Sequence, residues 1–368
     1  MAFKKLGSYL PLQFCLLLAP FFLWGTAMVS MKGAISHTTP FFLAGFRLLP
    51  AGVLILMVSI ILKRPQPNSW RAWGWIILFS IVDGSCFQGF LTAGLSRTGA
   101  GIGSVMIDSQ PLAVALLALW IYGERIGLWG WLGLCLGIVG ISLLGFPQDW
   151  LLNLGSWFAT QVSQWTLGRG NLVEEFIALP KNGESIFHNG QGLMILAALS
   201  MAGGTVMIRT ICRYVDPVVA TGWHMVFGGL PLFILSWVFE SNQWTALTPS
   251  DWFALGYATT FGSAIAYGLF FYFASRGSLT SLSSLTFLTP IFALLFGNLM
   301  LGEVLNPLQC LGVSLTLISI FFINQRDRIA LWIQGWQTHG YGNWFNYLLN
   351  YVFNKQPPVT SLKNSNPA

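Results

Sequence analysis

In a chain of 368 residues, 54% are hydrophobic and 8% charged, against about 25% charged in ordinary soluble domains, so water does not solvate most of this surface. The formal net charge of +6 is no nucleic-acid footprint, because the basic residues gather at the ends of apolar runs and form no stripe or groove-reading motif. Apolar runs long enough for about 30 Å of hydrocarbon recur at 12–35, 40–62, 73–95, 101–122, 128–146, 192–213, 217–239, 252–275, 280–301 and 307–324. The expected fold class is an all-α polytopic membrane protein with ten transmembrane helices.

The first run follows Lys4-Lys5 and continues through Pro20 and Trp24 with no small-residue cleavage site, which reads as an uncleaved helix. Trp24, in Leu23-Trp24-Gly25-Thr26, lies mid-span and is a candidate cavity wall or packing residue. A charge at mid-bilayer costs about 2.5–3.5 kcal/mol even on the insertion scale, so ionisable residues inside spans are functional candidates. There are four: Arg47 in the second run, Asp83 in the third with Gln88 five residues on, Asp108 in the fourth and His224 in the seventh. The plainer reading of each is a structural ion pair or a bond to a backbone carbonyl. Asp108-Ser109-Gln110-Pro111 adds a proline, which removes a backbone donor, so Gln110 and nearby polar backbone are placed on a cavity. Arg47 and Asp108 each stand seven residues into their runs and are expected to meet as a buried pair. Asp83 is the candidate proton-coupling group, with His224 near it.

Gly99 to Gly103 is glycine-rich but follows no strand, which suits close helix packing. The hydroxyl-rich stretch Ser278 to Thr289 reads the same way, with one or two hydroxyls open to substrate. Gly123-Glu124 ends the fourth run; an acid there opposes the helix dipole, so contact with the N-terminus of the next helix is expected. Within 147–191, Leu151, Leu154, Phe158, Val162 and Trp165 share one helical face, and this linker is expected to hold an interfacial helix outside the cytoplasm. Beyond the tenth run, 325–368 reads as a cytoplasmic aromatic interfacial helix and a disordered tail. The five cysteines lie within apolar runs and have no metal-site spacing. No cofactor and no metal are expected.

The spans are written twice. Shifting by 179 residues carries Gly89, Ser96, Arg97, Pro111, Gly123 and Glu124 onto Gly268, Ser275, Arg276, Pro290, Gly302 and Glu303. A shift of 177 carries Val29, Pro40, Gly45 and Gly52 onto Val206, Pro217, Gly222 and Gly229, and Arg47 onto His224. Repeats of five helices, 12–146 and 192–324, place the second copy upside down. Lys4, Lys63, Arg125, Arg209, Arg276 and Arg326 then share one side, which the positive-inside rule makes cytoplasmic together with both termini. Inverted repeats mark secondary transporters.

With Leu23-Trp24-Gly25, Pro40 to Arg47, and Pro111 to Glu124 copied as Pro290 to Glu303, the chain resembles the EamA-type branch of the drug/metabolite transporter superfamily. Phe87-Gln88-Gly89-Phe90, Ile107 to Pro111, Ala220 to Met225 and Gly277 to Pro290 further resemble a cyanobacterial and chloroplast-envelope subgroup. The resemblance implies helices one to four and six to nine around a central cavity, with five and ten peripheral. It implies a secondary transporter of the inner membrane that moves a small metabolite or drug-like solute, often outward, with protons as a candidate coupling ion. The expected translocation residues are Trp24, Arg47, Asp83, Gln88, Asp108, Gln110 and His224. The alternatives are an intramembrane enzyme, for which His224 has no evident Ser or Cys partner, or a non-transporting scaffold.

Overall fold

The computed structural model describes residues 10–31, 34–97, 106–145, 190–301, 307–326 and 329. Among them are ten helices and no strand: α1 Leu10–Met31, α2 Pro40–Ile61, α3 Trp70–Leu95, α4 Gln110–Tyr122, α5 Gly127–Gly145, α6 Gly190–Ile211, α7 Pro217–Phe239, α8 Pro249–Ala274, α9 Leu279–Leu299 and α10 Pro307–Arg326. Eight of the described helices are long and apolar enough to cross a membrane; α4 and α5 are the shorter apolar pair. The expected interfacial helix within 147–191, Gly99 to Gly103, Gly302-Glu303 and the segment after Ile329 lie outside the described residues.

The repeats meet antiparallel. A methyl group built on Gly52 would lie 2.7 Å from Val226 N, and one on Gly229 would lie 2.9 Å from Leu49 N. Carried over by 177, the first contact becomes the second. Gly45 against Phe233 and Gly222 against Leu56 form a second reciprocal pair. α2 and α7 therefore pack about a pseudo-two-fold axis, with backbones brought close by small residues as membrane helix pairs are. α5 and α10 repeat the pattern, since Gly140 faces Gly312 while Gly133 faces Ser319, and the Ser319 hydroxyl donates to the Gly133 carbonyl at 2.6 Å.

α3 and α8 each change winding at the same place. Ser80–Cys86 and Ala258–Ile265 are π-helical, flanked by α-helix on both sides. A π turn accommodates an extra residue and often sits at a functional site. Here it carries Asp83 and Gly84 in one copy and Gly262 and Ser263 in the other. Gly84 allows α3 to approach Gly228 of α7, with Ser85 Oγ donating to the Gly228 carbonyl at 2.9 Å.

Two acids tie the repeats together. Glu240, at the C-terminal end of α7, accepts from Thr39 Oγ1 at 2.7 Å, Phe41 N at 2.8 Å and Phe42 N at 3.1 Å, satisfying the open N-terminus of α2. Glu124 follows Gly123, whose φ of +66° turns the chain after α4. It accepts from the Ser278 hydroxyl, and from Leu279 N and Thr280 N at 3.3 Å. Arg209 of α6 and Arg326 of α10 stand 3.7 and 3.6 Å away. The acid after α4 thus caps α9 of the other repeat, and not the following α5 as expected. The left-handed glycine directs the carboxylate across the bundle before α5 begins.

Candidate functional site

Asp83 projects from the π turn of α3 and is 1% exposed. Its Oδ2 lies 3.1 Å from His224 Nε2 of α7. Gly204 of α6 makes room for it, since a methyl group there would come within 2.6 Å of the Asp83 carboxyl carbon. His224 is held flat on Phe79, with centroids 4.1 Å apart, and edge-on to Phe271 at 5.5 Å. Its Nδ1 lies 2.8 Å from the Thr221 carbonyl oxygen. A carbonyl only accepts, so Nδ1 carries a hydrogen. One proton then occupies the Nε2···Oδ2 contact, on the ring as an imidazolium–carboxylate pair or on the acid beside a neutral ring. Removing it would leave a lone pair facing a carboxylate in a dry site.

Gln88, two residues beyond the π segment, donates from Nε2 to the Tyr267 hydroxyl of α8 at 2.8 Å. These two residues are equivalents in the repeats, 179 apart, so this hydrogen bond lies on the pseudo-two-fold axis. Trp24 of α1 meets Tyr267 edge-on at 5.2 Å and packs on Phe270 at 5.2 Å. Arg47 and Asp83 both lie within Coulombic reach of the Tyr267 hydroxyl. Tyr267 is therefore the hub to which Trp24, Arg47, Gln88 and Asp83 converge from α1, α2 and α3, with His224 behind Asp83. Tyr267, uncharged at neutral pH, does not stand out in the sequence; its alignment with Gln88 is the available signal.

Arg47 and Asp108 do not form the expected pair: among the described residues no ion pair joins them. Equal depth leaves the direction around each helix open, and Arg47 is turned toward Tyr267. Asp108 lies in the turn before α4, because Pro111 suits the first turn of a helix, so the regular helix begins at Gln110. Gln110 donates to Thr205 Oγ1 of α6 at 3.3 Å. Neither Asp108 nor Gln110 is hydrogen-bonded to the Tyr267 cluster.

Several polar atoms of the cluster are buried without a hydrogen-bond partner: Trp24 Nε1, Arg47 Nε, Asp83 Oδ1 and Gln88 Oε1, with Gln110 Oε1 nearby in sequence to Asp108. Buried polar groups are ordinarily satisfied. Four orphaned atoms on three helices, at the seam between repeats, form a surface ready to exchange hydrogen bonds with a guest.

Comparison with known proteins agrees with this architecture. The model of the EamA-like transporter family matches residues 12–146 and again 188–325. Transporter sll0355 of Synechocystis sp. is 56% identical over 315 residues, spanning 86% of this chain and 90% of its own length. A chloroplastic WAT1-related protein of Arabidopsis thaliana is 45% identical over 317 residues, 85% of this chain and 69% of its own. The inner membrane transporter YedA of Escherichia coli is 24% identical over 328 residues, 88% and 92% of the two chains. A solved crystal structure shares the fold with a TM-score of 0.65 at 16% identity, covering 86% of this chain and 97% of that one. The doubled match over most of the chain and the close relatives establish that this multi-pass membrane protein belongs to the EamA-like transporter family.

Proposed function

We propose that this transporter is a secondary carrier that exports a small organic solute through the seam between its repeats, exchanging protons at Asp83–His224. The observation that carries the reading is the group of orphaned buried atoms around Tyr267. The seam is where inverted repeats place their sites, so that rocking one bundle against the other opens it to each side in turn. Trp24, Arg47 and Gln88 serve as solute contacts. Asp108 and Gln110 belong to the path on the α4–α6 side. The shared proton supplies the coupling chemistry: it leaves only when opening admits water to the pair. The charged or titratable groups facing Asp83 from packed elements are His224 on α7 and Tyr267 on α8, with Cys86 on its own π turn. The membrane is the inner membrane and both termini lie on its cytoplasmic side.

The test is solute counterflow in proteoliposomes against a metabolite panel, with and without a pH gradient. Asp83→Asn should retain exchange and lose the dependence on the gradient. A gradient response equal to that of the parent protein would remove Asp83 from coupling. Absence of counterflow for every solute would remove the carrier reading.

A further inference from the structure

The two halves of the site are equivalent in position and unlike in charge. In one half, His224 of α7 faces Asp83 of α3, and Gly204 of α6 makes room for the acid. The repeat shifts of 177 and 179 carry His224 to Arg47, Asp83 to Gly262 and Gly204 to Ala27. The structure honours this correspondence. A methyl group built on Gly262 would lie 2.6 Å from the Ala27 methyl, so Ala27 fills the notch that Asp83 fills in the other half. The half built on Arg47 therefore has a cation and, at the position equivalent to Asp83, no acid to neutralise it.

No other acid among the described residues replaces it. Asp83 is engaged by His224, Asp108 makes no ion pair with Arg47 among the described residues, Glu124 caps α9, Asp216 pairs with Arg64, Glu240 caps α2, and Asp251 is bonded to Thr248 and His37. Arg47 is partly exposed, its Nε is buried without a partner, and the titratable neighbour within Coulombic reach is Tyr267. Tyr267 is 4% exposed and belongs to the central core, so the buried Nε lies on the core side of α2. A desolvated cation is costly until an anion meets it, and a planar guanidinium matches oxoanions best. Beyond Tyr267 stands the partly exposed Trp24, edge-on to it at 5.2 Å and backed by the fully buried Phe270.

We infer that Arg47 is the specificity determinant of the site, and that the solute is an organic oxoanion with an apolar body: its head group docks on Arg47 and its body lies against Trp24. This rests on the carrier reading and adds the charge class of the cargo.

The test is ligand-induced thermal stabilisation of the purified full-length protein, with four probes on one ring: cyclohexanecarboxylate, cyclohexyl phosphate, cyclohexanecarboxamide and cyclohexylamine. One or both anions should raise the melting temperature saturably, the better of them identifying a carboxylate or a phosphate head, and the amide and amine should not. Arg47→Gln should weaken anion binding at least tenfold, and Arg47→Lys, which keeps the charge and loses the planar fork, should fall between the parent protein and Arg47→Gln. The sharper variant leaves Arg47 untouched: Gly262→Asp with Ala27→Gly restores the missing acid and the notch for it, and should abolish anion binding in a folded protein. Amide or amine binding that matches the anions, or anion binding that survives Arg47→Gln unchanged, overturns the inference. Counterflow of neutral or cationic solutes that is insensitive to Arg47→Gln would leave the carrier standing and sink the anion; no binding and no counterflow with any solute would sink both.

Discussion

Two adjacent glycines in α6 separate what a single methyl group does at the site from what it does elsewhere. At Gly203 the nearest atom to an added methyl is a Val82 methyl at 3.3 Å, whereas at Gly204 it is the Asp83 side chain, with its Cβ at 2.5 Å. Overpacking of a tight interior costs about 1–3 kcal/mol. Gly204→Ala should fall in that range by thermal unfolding, with loss of transport, while Gly203→Ala should cost less and keep transport. Equal losses at the two positions would mean that Asp83 is free to move aside. At this scale the sequence was informative about charge and silent about direction. Asp83 and His224 stood out because ionisable groups inside apolar runs are costly, and they do meet. Arg47 and Asp108 stood out for the same reason and do not meet, since depth along a helix says nothing of azimuth. Tyr267 was hidden among a 15% aromatic composition.

The π turns of α3 and α8 bring flexible-looking sequence into tight contact. Gly84 of α3 and Gly228 of α7 leave room for each other: a methyl group on Gly84 would lie 2.7 Å from the Gly228 Cα, and one on Gly228 would lie 2.6 Å from the Gly84 Cα. Gly84→Ala and Gly228→Ala should each lower the melting temperature, and the double variant should lose less than the sum because the first change already parts the helices. Strict additivity would show that the two contacts are independent. The Glu124 cap makes a pH prediction. Burial raises its carboxyl pKa, and the bonds from Ser278 and Thr280 with the Arg209 charge outweigh that, leaving it below the ordinary 4.5. A depressed acid stabilises the fold above its unfolded value and loses that contribution as pH falls through the folded one. Melting temperature should therefore drop on acidification below about pH 4.5, and Glu124→Gln should be less stable at neutral pH with a flatter acid limb. A parallel acid limb in the variant would remove Glu124 as its source. The helices were legible as apolar runs, but the π turns were not: both copies carry the added residue at the same place, so the 179 offset passes through them without a gap.

Across the whole molecule, the duplication was legible and its geometry followed from counting, since five crossings invert the second copy. The reciprocal contacts of α2 with α7 give that inversion a physical form. Reporters placed in the α2–α3 loop near Pro67 and in the equivalent α7–α8 loop near Asn242 should lie on opposite sides of the membrane, with Pro67 cytoplasmic; accessibility labelling of single cysteines reads this directly. Labelling of both from one side would make the halves parallel. What counting could not supply was the difference between the halves, because an offset table records matches and the site depends on mismatches. That difference bears on how long the carrier rests in each orientation. When inverted halves exchange conformations, a contact on the axis maps onto itself, so the Gln88–Tyr267 hydrogen bond can act as a common pivot. The Asp83–His224 pair maps onto Gly262 and Arg47, which offer no such bond. On the carrier reading the two orientations therefore start from unequal energies, and the Asp83–His224 bond, present in one half and absent from the other, gives the unloaded carrier a preferred resting side.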